Sequence, residues 1–160
     1  MKMRAWRLIL ALVLSVTGLT AKLSGRSLEV SPAECRWQAE SKAAKQEMPR
    51  VISVFNSSEK TKDYSVKVKE MKALKAEEEK GFKELPDASW VSFEPDTFSA
   101  GPGEKKTVKV FLEVPEEKLD PGATWLFYAE IREKPVKGDS IALACYPKIY
   151  IEMKEERTKK

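Results

Sequence analysis

The chain has 160 residues, 42% of them hydrophobic and 34% charged, with 29 Lys+Arg against 25 Asp+Glu and no histidine. That length suits one domain around a single core. Without histidine, a serine or cysteine nucleophile lacks its usual base and zinc its commonest nitrogen ligand, which argues against an enzyme and against a metal centre.

Lys2, Arg4 and Arg7 lead into the apolar run "LILALVLSV", which has the length of a signal-peptide core and falls short of the roughly twenty apolar residues a bilayer crossing needs. Residues 1–21 therefore read as a signal peptide and the protein as exported, to a periplasmic or extracellular location. Ala21 suits cleavage and Leu19 does not, so an uncleaved N-terminal anchor is the alternative. Without this segment the chain keeps 26 Lys+Arg against 25 acidic residues. The basic balance is thus mostly a targeting effect, and nothing in it points to nucleic acid or to membrane contact beyond the signal peptide.

From residue 22 to 153 the pattern is that of short strands separated by turns. Ser27 to Val30 reads as a first strand, stopped by Pro32 and resumed from Cys35 to Ala39 after a kink. In "VISVFN" Ile52 and Val54 face inward, and Asn56-Ser57-Ser58 supplies a turn whose letters also match a glycosylation acceptor. "YSVKVKEM" sets Tyr64, Val66 and Val68 against Ser65, Lys67 and Lys69. Lys72 to Glu84 is highly charged and reads as a short surface helix or loop, with Glu77-Glu78-Glu79 a solvated run, as is Glu116-Glu117. "SWVSF" returns to extended structure. The turn at Pro102-Gly103 then feeds a strand in which Val108, Val110, Leu112 and Val114 alternate with other residues. "GPGEKK" lacks the spacing of a phosphate-binding loop and reads as a turn.

After Pro121-Gly122, Trp125, Phe127, Ala129 and Ile131 share one face, and Trp90, Trp125, Phe127 and Tyr128 read as packing residues. The final strand is the longest, with Ile141, Leu143, Cys145, Pro147, Ile149, Ile151 and Met153 at alternate positions, ahead of a charged flexible tail over 154–160. About seven strands with no helix long enough to cover a sheet predict an all-β, immunoglobulin-like sandwich of two antiparallel sheets. Two cysteines in an exported chain, one near each end of a fold whose first and last strands lie side by side, predict a disulfide between Cys35 and Cys145. A single Asn and two Gln beside abundant Lys and Glu suggest a protein that works at high temperature.

The order of these features, "VSP", "VISVFNSS", "SWVSFEPDTFSAGPGEKKTVKVFLEVP", "WLFYAEIREKP" and "IALACYPKIYIEM", resembles the N-terminal domain of the PapD-like pilus assembly chaperones, as a single-domain variant. The resemblance implies a periplasmic chaperone or assembly factor without cofactor, whose partner is another exported polypeptide such as a pilin-like or surface subunit. It implies that the last strand is lent to that partner through Ile141, Leu143, Cys145, Ile149 and Ile151. It also implies that Arg36 and Lys148 anchor the partner's terminal carboxylate. A structural or adhesive cell-surface module without a client is the alternative.

Overall fold

The computed structural model describes residues 28–69, 80–135 and 142–154. The predicted signal peptide, the 72–79 part of the charged stretch, Ile141 and the tail from 155 onward lie outside them. Twelve strands are described: β1 (Leu28–Ser31), β2 (Glu34–Ala39), β3 (Gln46–Glu47), β4 (Ile52–Asn56), β5 (Lys62–Lys69), β6 (Lys83–Glu84), β7 (Val91–Glu94), β8 (Thr97–Ala100), β9 (Lys105–Leu112), β10 (Thr124–Glu133), β11 (Ala144–Cys145) and β12 (Lys148–Met153).

They form two sheets. In the first, β4 joins β1 to β9, β3 pairs the far end of β9, and β7 pairs β9 along its other side. In the second the order is β2-β12-β10-β5-β8, with β11 and β6 also on β10. The count exceeds seven because proline breaks longer strands into segments and because β3 and β6 add two short strands of two residues each. Pro32 and Pro95, both following cis peptide bonds, stand where the chain passes from one sheet to the other. At the first, β1 leaves β4 and the chain continues as β2 on β12. At the second, β7 leaves β9 and the chain continues as β8 on β5. A residue without an N–H cannot carry a ladder through, so a change of partner there breaks no bond.

The core lies between the sheets and follows the alternation of the sequence. Trp37, Ile52, Val54, Tyr64, Val66, Val108, Val110, Leu112, Trp125, Phe127, Ile131, Ile149 and Ile151 are all buried in it. Trp90 packs on Trp125 with ring centroids 5.5 Å apart. Each large aliphatic side chain buried in this way contributes about 1.5 to 3 kcal/mol. Tyr128 packs, as expected, on the outer face of the second sheet, where it borders a small cluster of Phe82, Leu126 and Tyr150. That cluster exists because residues 81–85 lie along β10: β6 pairs with Trp125 and Leu126 in parallel, Leu85 N donates to Leu126 O, and Thr124 Oγ1 donates to Gly81 O. The described end of the charged stretch is therefore a strand-like strap rather than helix.

Asn56 shows why one polar residue is fully buried. Its Nδ2 donates to the carbonyls of Lys60, Ala100 and Gly101, and its Oδ1 accepts from the backbone N–H and hydroxyl of Ser58. The turn reading of Asn56-Ser57-Ser58 is the one this geometry fits, because an amide committed inside the fold presents no nitrogen to a glycan.

Candidate functional site at the edge of the last strand

The last strand is continuous on β10. Tyr128 stands opposite Lys148 and Ile131 opposite Cys145, which is one unbroken register through Tyr146 and Pro147. Ala129 N donates to Pro147 O and Glu133 N to Leu143 O, so odd-numbered residues of the strand turn their main-chain groups toward β10. Even-numbered residues turn theirs to the outer edge. Pro147 occupies a position facing β10, where its missing N–H removes one ladder bond and leaves the outer edge unaffected.

Along the outer edge two halves differ. From Lys148 to Met153 β2 runs parallel alongside, pairing Glu34 to Ala39, with Lys148 N donating to Ala33 O and Lys154 N to Ala39 O. Ile149 and Ile151 are wholly buried in this protein's own core, on a strand paired along both edges. They do not present the side chains expected of a lent strand. The reason is the strand switch at Pro32, which lays β2 over that half.

Upstream, at Ala144 and Tyr146, β2 has not yet begun, and β1, although it passes close beside Ala144 and Cys145, hydrogen-bonds to β4 instead. No hydrogen bond among the described residues reaches the outer side of these two positions. Leu143 and Cys145 are partly buried against the core, whereas Tyr146 is 41% exposed, one of two large apolar side chains so exposed among the described residues. Ile141 lies outside the described residues. Tyr146 was absent from the sequence-based set, although an aromatic on the polar side of the alternation is a signal for it.

Arg36 and Lys148 stand on adjacent strands and share the outer face, since Arg36 pairs with Tyr150 and Lys148 with Glu34. In antiparallel sheets diagonal neighbours of this kind lie about 7 to 8 Å apart, somewhat less at Cβ. The Arg36 guanidinium sits over the rings of Tyr150 and Phe82, 5.0 and 5.7 Å from their centroids, with Glu152 at 3.9 Å and Glu34 at 4.0 Å. Lys148 Nζ is 5.8 Å from the Tyr128 centroid. The two cations thus share a face with aromatic rings between and beside them.

The expected disulfide is absent: Cys35 and Cys145 are both free. Cys35 stands opposite Ile149, four residues beyond Cys145, a separation of about 13 Å along the strand. A bridge needs Cα atoms within about 7 Å. The first and last strands do lie side by side, as expected, but their register is wrong for pairing. Burial pushes both thiols above the ordinary cysteine range, so neither is primed as a nucleophile.

No protein-family model and no curated protein matches this chain. Among solved structures it is similar to the ASH/PapD-like domain 7 of human CEP192, with a TM-score of 0.58 and 10% identity over 96% of this chain and 98% of that one. It is similar to a putative carbohydrate binding protein from Bacteroides ovatus, with a TM-score of 0.58 and 18% identity over 81% of this chain and 37% of that one. It is also similar to a chain of the CsuC-CsuE chaperone-tip adhesion subunit pre-assembly complex of Acinetobacter baumannii, with a TM-score of 0.52 and 12% identity over 82% of this chain and 58% of that one. Other chaperone structures recur at comparable similarity, and the chain spans little more than half of their length. The fold is a PapD-like, immunoglobulin-like β-sandwich.

Proposed function

We propose that this protein is an exported, non-enzymatic polypeptide-binding domain, a chaperone or assembly factor for a secreted or pilus-like surface subunit. The single observation that carries the reading is the open edge at Ala144 and Tyr146. Main-chain groups point outward there, flanked by Leu143, Cys145 and an exposed tyrosine. An extended segment of a partner adds to this edge as a strand, with main-chain bonds for affinity and alternate side chains for fit. The lent region is accordingly shorter than the alternation suggested, centred on Leu143 and Cys145 and continuing toward Ile141. Arg36 and Lys148 hold the partner's terminal carboxylate on the neighbouring face. Fold similarity to chaperones, one of them in a complex with a tip subunit, supports this reading over that of a surface module without a client.

Ala144→Pro tests it. Ala144 turns its N–H away from β10, so proline there deletes an edge donor and leaves the ladder intact. The tagged wild-type protein, purified from its native cell envelope, is expected to carry a bound exported polypeptide. The variant, folded by circular dichroism, is expected to lose it. Equal recovery of the same polypeptide by both would show that the edge is not the contact, and an empty wild type would favour the client-free module.

A further inference from the structure

On the outer face of the second sheet, one strand further in from the open edge, Glu130 is only 1% exposed although its side chain points away from the core. Its Oε1 accepts from Arg132 Nε at 2.5 Å. Among the described residues its Oε2 has no hydrogen-bond partner, and it lies 3.8 Å from Lys69 Nζ and 4.0 Å from Lys67 Nζ. The register explains the convergence, because Glu130 stands opposite Lys67 and its neighbour on the same face, Tyr128, stands opposite Lys69.

The three cations remain open to solvent, at 67% for Lys67, 43% for Lys69 and 44% for Arg132, above a carboxylate that is not. Among the described residues, one buried negative charge thus gathers three exposed positive ones, a local excess of two. Arg132 is held through Nε, and Nη2 reaches the Tyr146 hydroxyl at 3.5 Å, a long contact that leaves guanidinium donors facing outward. A guanidinium fixed on one side by a carboxylate is pre-oriented for a second carboxylate on the other.

We propose that Lys67, Lys69 and Arg132 form a docking site for an acidic polypeptide segment, one rich in Asp or Glu, crossing the outer face of this sheet. The site is separate from the Arg36 and Lys148 pair. Charge complementarity selects an anionic occupant. The contact between Arg132 and Tyr146 makes the patch continuous with the open strand edge, so the choice of a polypeptide rests on the function proposed above. A bilayer surface fits less well, because among the described residues Tyr146 is the one large exposed apolar side chain at the patch.

Fluorescence anisotropy with a labelled hexaglutamate peptide tests the site, with a hexaglutamine peptide as control. The wild-type protein should bind hexaglutamate in a salt-sensitive manner and not hexaglutamine. The double variant Lys67→Gln/Lys69→Gln, which keeps the Glu130–Arg132 pair and hence the fold, should bind about tenfold more weakly. No preference for hexaglutamate, or an unchanged affinity in the double variant, would overturn the proposal. Tighter binding to phosphatidylglycerol vesicles than to hexaglutamate at matched anionic charge would overturn the assigned occupant. Ala144→Pro should leave hexaglutamate binding intact, so that loss of the edge contact and loss of this site are separately visible.

Discussion

Tyr64 shows how one buried side chain sets a pH limit. It is fully buried opposite Glu133, its hydroxyl has no hydrogen-bond partner among the described residues, and its ring packs 5.4 Å from Phe98. Burial, reinforced by the Glu133 charge and partly opposed by Lys62, pushes its pKa up to about 12. An unfolded tyrosine ionises near 10, so between these values the unfolded chain has lost a proton that the folded one keeps. The stability contributed by holding Tyr64 neutral is complete below about pH 10 and is lost as pH rises through about 12. Tyr64→Phe removes an unsatisfied hydroxyl and keeps the ring. It is expected to match the wild type or exceed it by up to about 1 kcal/mol near neutrality. Urea unfolding at pH about 9 and about 11.5 should show a smaller alkaline loss in the variant than in the wild type. Equal losses would mean that Tyr64 is not the group responsible.

At the scale of elements, the turn before β9 was legible in full. Pro102 at the first central position and Gly103 at φ +70° at the second make a type II turn, closed by Glu104 N donating to Gly101 O at 3.1 Å. The same turn is stitched to β4, with Asn56 N donating to Glu104 O and Gly103 N to Asn56 O. Gly103→Ala forces a side chain into the left-handed region and is expected to cost about 1 to 2 kcal/mol, although nothing stands within 4 Å of the added methyl. Gly101→Ala is the control, since its new Cβ meets only Glu104 Oε2 at 3.6 Å, an ordinary contact. Chemical denaturation of both variants should separate them, and equal midpoints would contradict the turn assignment. The last strand was legible as an element too, down to its alternation. Its partition into a covered half and an open half was not, because coverage depends on where β2 begins.

For the molecule as a whole, the exposed faces carry ion pairs between segments far apart in the chain: Lys45 with Glu94 at 2.7 Å and Lys109 with Glu47 at 3.0 Å on the first sheet, and Lys154 with Glu40 just past the ends of β12 and β2. Such exposed pairs add little at 25 °C, and networks of them gain weight as temperature rises and charge desolvation becomes cheaper. Together with the scarcity of Asn and Gln, this leads to an expected unfolding midpoint above about 65 °C, the upper end of the mesophile range. Scanning calorimetry of the isolated domain reads it directly. A midpoint within about 45 to 65 °C would mean that the composition carries no thermal adaptation.

Period-two alternation, proline and glycine placement and the dearth of helical pattern were enough to read an immunoglobulin-like sandwich with Ile52, Val54, Tyr64, Val66, Val108, Trp125 and Ile131 inside. Each of those signals is local: a side chain's face follows from its neighbours along one strand. Which edges are paired, and in what register, is not local. Cys35 and Cys145 were placed on the right neighbouring strands and yet stand four residues out of step. Ile149 and Ile151 carried the right pattern for a lent strand and yet are enclosed by β2. Lys67 and Lys69 were legible as the polar face of their strand, but only the β5–β10 register brings them to one point with Glu130 and Arg132. Strand pairing is decided by hydrogen bonds between residues far apart in the chain, and these contacts leave no trace in the periodicity of either partner.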